Sequence, residues 1–532
     1  MHAICFITAY LIATCTALSS ASDPIVDLGY ATYRGLLNET LSTREFYGIR
    51  FGQPPTGRLR WKAPQPMSSL RNSSSVILNA TQPGPICMQG YPYWTNPNAG
   101  TPQGSEDCLI LNVIGPANTT NSSNLPVLVI VPGGGYTMGD AGSGDVHALL
   151  NHTGNAFIAV ALQYRLGAYG FLGSDAFANE GGDANVGLLD QRLGLEWVQR
   201  YISLFGGDPA KVTLTGGSAG GGSITDQLIM YGGRADPPFR AAMPEFPWWQ
   251  QMLRKEQLNQ QYQYLLESTN CTSMACMRGL SEGTLAAATQ ATYVQAYSEG
   301  AYGYGNFYYG PYVDGSVIRD LPSREFRAGH FSKVPLWLDH AKYEGYTFSN
   351  QSLTNVEDET QDLKIQFPSA DQQFIDKVYE LYPRESFNAT FWQRQTWFGD
   401  FSINCPTYYV ASSASSYDVP VYKMLFAAGS QTHGASGAFI ADPSTLPFGN
   451  PGYNETLASI MKDWWASFAI YLDPNARRWS TVERPSWPLY NESAEFQVMS
   501  INYTQSGAVS DLYFDNSEQC KFFEENGEVV QN

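Results

Sequence analysis

Residues Lys211–Ser223 read KVTLTGGSAGGGS, a β-branched run that breaks into glycines around one serine. Val212, Thr213, Leu214 and Thr215, β-branched at three of four positions, predict a short strand. Gly216-Gly217-Ser218-Ala219-Gly220 follows without a spacer, and a helix is expected beyond Gly222. G-x-S-x-G between a strand and a helix makes a sharp turn that lifts the serine hydroxyl clear of the sheet. A side chain at either flanking glycine would collide with neighbouring chain. The same letters also describe a glycine-rich turn that only packs a helix against a strand. The rest of the chain has to separate the two.

Upstream of the turn, GLLDQRLGLEWVQRYISL at Gly187–Leu204 spaces its apolar residues as a helix does, and FGGDP at Phe205–Pro209 ends it. Pro126–Val131 and Ala156–Leu162 are nearly continuous apolar runs, the signature of parallel strands buried on both faces. Further strands are expected at Leu109–Val113, Val334–Leu338 and Pro420–Phe426. Gly29–Phe51 reads as an edge hairpin, and Leu457–Tyr471 as a helix followed by a loose acidic tail. Strands alternating with helices predict an α/β architecture with a large, mostly parallel central sheet and helices on both faces. Between Phe239 and Tyr312 the pattern changes to short helices and the stretch AYGYGNFYYGPY. Residues 239–312 are read as a cap or pocket-lining insertion within a single domain spanning 21–532.

Residues 1–20, MHAICFITAYLIATCTALSS, have the apolar middle and small-residue end of a cleaved secretory signal. An extracellular location is therefore expected. No later run is long and apolar enough to span a bilayer. Of eight cysteines, Cys87, Cys108, Cys271, Cys276, Cys405 and Cys520 remain after such cleavage, an even number in an oxidising compartment. Their wide spacing argues against a zinc cluster and for three disulfides. Cys87 and Cys108 bracket a loop rich in proline and glycine, which a bridge would tighten. Sequons at Asn38, Asn72, Asn79, Asn118, Asn121, Asn151, Asn270, Asn350, Asn388, Asn454, Asn491 and Asn502 predict N-linked glycans on surface loops. A net charge of −18 leaves no basic stripe to displace counterions, which argues against a nucleic-acid partner.

A serine hydroxyl attacks only when a base takes its proton and a third group holds that base. The six histidines are His2, His147, His152, His330, His340 and His433. Strand-turn-helix nucleophiles of this kind have their acid and then their histidine downstream. That order selects His433, in the loop GSQTHGASGA after the Pro420–Phe426 run. His330 and His340 lie before the Val334–Leu338 run or at its end and are poorer bases. Two carboxylates compete for the acid: Glu344, in AKYEGYTF with Gly345 permitting a close turn, and Asp339. The residues alone separate them weakly. Gly133-Gly134-Gly135 after a buried strand offers backbone N–H groups to an oxyanion, with Ala219 supplying another at the helix start. Tyr136, Phe246, Trp248, Trp249, Tyr302, Tyr304, Phe307 and Tyr308 are read as lining an apolar acyl or alcohol pocket, with burial in the core as the alternative. No cofactor or metal is called for by this chemistry.

These residues sit in longer motifs. SEDCLILNV at Ser105–Val113, PVLVIVPGGGY at Pro126–Tyr136, QYRLGAYGFL at Gln163–Leu172 and the segment Asn185–Gly221 lead the series. PYVDG at Pro311–Gly315, YEG at Tyr343–Gly345 and HG at His433–Gly434 complete it. The chain resembles the type-B carboxylesterase/lipase family, the cholinesterase-like branch of the α/β-hydrolases, and in particular its secreted fungal members. The resemblance implies Ser218 as nucleophile, Glu344 rather than Asp339 as acid, His433 as base, and Gly134, Gly135 and Ala219 as oxyanion donors. It further implies disulfides Cys87–Cys108 and Cys271–Cys276, with Cys405–Cys520 resembling the long-range bridge of cholinesterases. Gly217 stands where the family usually has glutamate, so selection for choline esters is not expected. Pro132, Asp339 and Gln163 replace a usual histidine, glycine and asparagine. The expected activity is hydrolysis of neutral short- to medium-chain or aromatic esters through an acyl-enzyme. The alternatives are a lactonase or acyltransferase of secondary metabolism, a lipase, or a non-catalytic adhesion or binding protein on the same scaffold.

Overall fold

The structure, a computed structural model, describes residues 23–67, 76–142, 146–441, 452–511 and 517–532. The signal segment and Asn72 lie outside these. Among the described residues, eleven strands form one sheet. In chain order they are β3 (Leu36–Asn38), β4 (Thr43–Arg50), β6 (Ile110–Pro116), β7 (Leu125–Ile130), β8 (Ile158–Leu162) and β9 (Gly207–Gly217). Then come β10 (Ala241–Glu245), β11 (Leu336–Ala341), β12 (Val421–Phe426), β13 (Gln497–Ile501) and β14 (Gly507–Ser510). Their spatial order is β14-β13-β12-β11-β10-β9-β7-β8-β6-β4-β3. The run from β13 to β8 is wholly parallel, while β6 and the two edge strands β14 and β3 are antiparallel to their neighbours. A separate small sheet joins β1 (Ile25–Asp27), β2 (Thr32–Arg34) and β5 (Ile77–Asn79).

The strand β7 shows why its run is apolar throughout. Val127 and Val129 point into one helical layer and Leu128 into the other, so the middle of the strand is buried on both faces. The helices Val186–Tyr201, Ala219–Ile229 and Cys405–Ser416 contribute to the first layer. His147–His152 and Glu455–Tyr471 cover the second. There Trp337 of β11 packs on Trp487 at 4.4 Å and on Phe468 at 6.0 Å between ring centroids. Among the described residues, no helix is long and apolar enough to cross a membrane.

Several sequence expectations need correction. Ala241–Glu245, inside the window read as an insertion, is a central strand paired with both β9 and β11. It holds Pro244, a residue that central strands normally exclude because it cannot donate to the ladder. The excursion from the sheet therefore starts at Phe246 and returns only at β11. It contains the packed helices Lys255–Thr269 and Glu282–Ser298. A second helical excursion, from Val356 to Ser416, separates β11 from β12. β11 also ends later than expected, so Asp339 and His340 lie within it. The acidic tail is packed, not loose, over its described last residues, 517–532. Cys520 is bridged to Cys405, Phe523 is buried, and the Asn532 side chain donates to the Phe401 carbonyl at 2.6 Å. The bridges Cys87–Cys108 and Cys271–Cys276 are also formed. The eleven described sequon asparagines are exposed or half-buried; none is buried.

Candidate active site

Ser218 stands between the end of β9 at Gly217 and the helix Ala219–Ile229, with φ +59 and ψ −127. This conformation is unfavourable for a residue with a side chain, and the surroundings hold it. The Ser218 N–H donates to the Glu245 carbonyl at 3.1 Å, and its own carbonyl accepts from Trp248 at 2.9 Å and Gly222 at 2.8 Å. The flanking glycines have one shared reason. A Cβ on Gly216 would come within 2.5 Å of the Val131 carbonyl, and one on Gly220 would overlap the same atom. Strand β7, which leads into the glycine loop, is thus pressed against the turn.

That loop curls over the serine. A Cβ on Gly133 would lie 2.6 Å from the Gly217 carbonyl and 3.3 Å from the Ser218 Cβ. Gly134 and Gly135 have φ +109 and +62, a region open to glycine at little cost. The N–H groups of Gly134 and Gly135 donate to no acceptor among the described residues. Ala219 is the first residue of its helix, where an N–H has no partner within the helix.

His433 lies in the loop after β12, and Glu344 in the single turn Glu344–Tyr346 after β11. Parallel neighbours send their following loops to the same edge of the sheet, and Tyr343 bridges to Thr432 there. His433 Nδ1 lies 2.5 Å from Glu344 Oε2. The other carboxylate oxygen, Oε1, accepts the Ala341 N–H. The Glu344 side chain is fully buried and that of His433 is 11% exposed. The His433 Nε2 is buried and has no hydrogen-bond partner among the described residues. Gly345 serves close approach rather than a turn: a Cβ there would overlap the Gln395 carbonyl of the helix Thr390–Gly399.

Asp339, the competing acid, is occupied elsewhere. It stands opposite Glu245 in the register of β10 and β11, and its carboxyl accepts the Phe246 N–H at 2.8 Å. Burial, and then the neighbouring Glu245 carboxyl, push Asp339 well above the usual carboxylate range. Burial also raises Glu245, against a 2.6 Å hydrogen bond from the Thr215 hydroxyl.

The aromatic candidates divide. Phe246 sits 5.0 Å from the His433 ring, and Phe307 packs where a Gly135 side chain would be. Trp248 backs them, 5.4 Å from Phe307. Tyr304 packs on Trp94 at 5.3 Å, to one side. The other four are buried in the core, where the Tyr308 hydroxyl has no hydrogen-bond partner among the described residues. Tyr136 lies under the helix at Gly222, and Trp249 donates to the Thr225 hydroxyl at 3.0 Å. Tyr302 donates to the Tyr293 carbonyl at 3.0 Å and stacks on Tyr308. Phe348 was missed, although it packs 4.8 Å from His433. Its position four residues after Glu344, one helical turn on, was the available signal. Trp94, half-buried, was also missed; it contacts Phe307 and Phe348.

A twisted parallel sheet that carries such a serine turn on a central strand, with imidazole and carboxylate from the loops of two later strands, is the α/β-hydrolase fold in its cholinesterase-like form. The chain belongs to the Carboxylesterase family, whose sequence profile matches residues 22–523, and is a carboxylic-ester hydrolase of the serine-hydrolase type. It is 30% identical over 465 residues to a secreted lipase of Arthroderma benhamiae, covering 83% of this chain and 80% of the relative. Carboxylesterase patB of Penicillium expansum is 27% identical over 97% of this chain and 98% of its own. The crystal structure of Aspergillus niger EstA superposes with a TM-score of 0.84 at 26% identity, covering 96% of this chain and 99% of that one.

Proposed function

We propose that Ser218 is the nucleophile, His433 the general base and then acid, Glu344 its anchor, and Gly134, Gly135 and Ala219 the oxyanion donors. The observation that carries this assignment is the buried imidazole itself. One nitrogen is fixed on a buried carboxylate while the other, Nε2, is unpaired among the described residues. Nε2 takes the Ser218 proton as the hydroxyl attacks the ester carbonyl, and the negative charge collects on the oxygen facing the three amides. The imidazolium, stabilised by Glu344, protonates the departing alcohol. Water, deprotonated by the same nitrogen, then releases the acid from Ser218.

The favoured substrates are neutral short- to medium-chain or aromatic esters. The walls nearest His433 are the rings of Phe246 and Phe348, and no carboxylate stands at position 217 to attract a cationic choline group. The similarity to a secreted lipase favours a second reading, longer acyl chains, and the same assay separates the two. Across p-nitrophenyl esters from acetate to palmitate, kcat/KM is expected to peak at short to medium chains, with choline esters poor. A peak at palmitate supports the lipase reading, and turnover restricted to choline esters overturns both. Secretion with N-linked glycans on exposed sequons such as Asn118, Asn151 and Asn388 completes the proposal. Mass shifts on endoglycosidase treatment of the secreted protein test it.

A further inference from the structure

Phe246 combines an unfavourable backbone with a side chain wedged between Gly217, the residue before Ser218, and the His433 ring. It directly follows β10 and has φ +33, a region that phenylalanine seldom adopts. Asp339 on the adjacent strand holds it there. The Phe246 N–H is shared between the Asp339 backbone carbonyl at 2.9 Å and its carboxyl Oδ1 at 2.8 Å. The ring lies over Gly217, where even a Cβ would overlap it, and stands edge-to-face with His433 at 5.0 Å.

The chemistry tells which half of a substrate meets this ring. The acyl group remains on Ser218, whereas the alcohol oxygen must receive its proton from His433 and so departs on the imidazole's side. A ring packed on both Gly217 and His433 therefore borders the alcohol half, close to the ester oxygen. We propose that Phe246 is a specificity-determining residue that limits bulk on the alcohol carbon, and that Asp339 is a positioning residue that sets the ring in place. Esters of unbranched primary alcohols are admitted and those of tertiary alcohols are excluded. This inference rests on the roles proposed for Ser218 and His433.

The test uses two esters with the same acyl group, ethyl butyrate and tert-butyl butyrate, and reads the ratio of their kcat/KM values. In the full-length protein the ratio strongly favours ethyl. Phe246→Ala is expected to raise the tert-butyl share about tenfold or more, and Phe246→Leu to raise it less. Asp339→Ala is expected to shift the ratio in the same direction, while Asp339→Asn, which keeps an oxygen acceptor for the Phe246 N–H, restores the parent ratio. A ring that only fills space would lower both esters together, and an unchanged ratio in the Phe246 variants overturns the proposal. So does a parent enzyme that hydrolyses both esters equally. An unchanged ratio in Asp339→Ala alone overturns the positioning role. Ethyl butyrate turnover surviving in Ser218→Ala contradicts the underlying site assignment, and the inference falls with it.

Discussion

His433 and Glu344 are 89 positions apart in sequence and meet at 2.5 Å, Nδ1 to Oε2, past the ends of two neighbouring parallel strands. Asp339, only five residues before Glu344, has its carboxyl turned to the Phe246 amide. The two acids are thereby given different work, which mutation can separate. Glu344→Gln is expected to lower kcat by about 10³–10⁴-fold, because the imidazole loses both its tautomer and the charge that stabilises its cation. Asp339→Asn is expected to cost less than about tenfold, since the amide oxygen still accepts from Phe246. Steady-state kinetics on p-nitrophenyl butyrate, with circular dichroism to check folding, gives both numbers.

Gly135 has φ +62 and abuts the Phe307 ring. Gly135→Ala strains the backbone and pushes the loop off its neighbour, so the amides proposed to hold the oxyanion lose their aim. A fall in kcat of about 10²–10³-fold is expected. Shortening Phe307 to alanine in the same chain relieves the clash but not the backbone strain, so only partial recovery is expected.

Glu45 of β4 is a buried carboxylate with an acid-sensitive role. Burial pushes its pKa up, but hydrogen bonds from His147, Thr43 and Tyr47 outweigh that and hold it down to about 2. A depressed acid binds fewer protons in the folded state than in the unfolded one. Its contribution is therefore complete above the unfolded value, about 4.3, and is lost as pH falls toward 2. Glu45→Gln is expected to lower Tm at pH 6 and to lose that deficit progressively below pH 4, followed by thermal scans across pH.

Glu359 has the opposite sign. Burial raises it to about 7, against a 3.0 Å hydrogen bond from the Trp397 indole and the field of Arg394. The folded state holds this proton more tightly than the unfolded chain, so stability falls as pH rises from about 4.3 through 7. Glu359→Gln, neutral throughout, is expected to gain Tm relative to the parent at pH 8 and to show no gain at pH 4.

The Cys405–Cys520 bridge closes a loop with a sequence separation of 115 and ties the C-terminal helices to the second helical excursion. Chain entropy alone puts its worth at about 4–5 kcal/mol. The double variant Cys405→Ala/Cys520→Ala is expected to unfold at markedly lower denaturant concentration than the parent, and the tail to become the first site of proteolysis.

The sequence was most readable where local geometry forces residue choice. Gly216, Gly220, Gly133 and Gly134 are there because backbone passes too close for a Cβ, and that constraint is written in the letters. Strand β10 was not readable, since Ala241-Ala242-Met243-Pro244-Glu245 carries neither β-branched residues nor alternation; its neighbours on both sides make it a strand. The choice between Glu344 and Asp339 turned on where β11 stops, a boundary of three residues that no local pattern fixes. The aromatic candidates separated only in three dimensions. A tyrosine such as Tyr302 looks the same in sequence whether its hydroxyl faces substrate or, as here, the Tyr293 carbonyl.

The most direct measurement of the central claim is intact-mass and peptide analysis after treatment with a fluorophosphonate. One adduct per chain is expected, located on Ser218, with labelling slowed by orders of magnitude in His433→Ala. An adduct on another residue, or labelling of Ser218 at the same rate without His433, would contradict it.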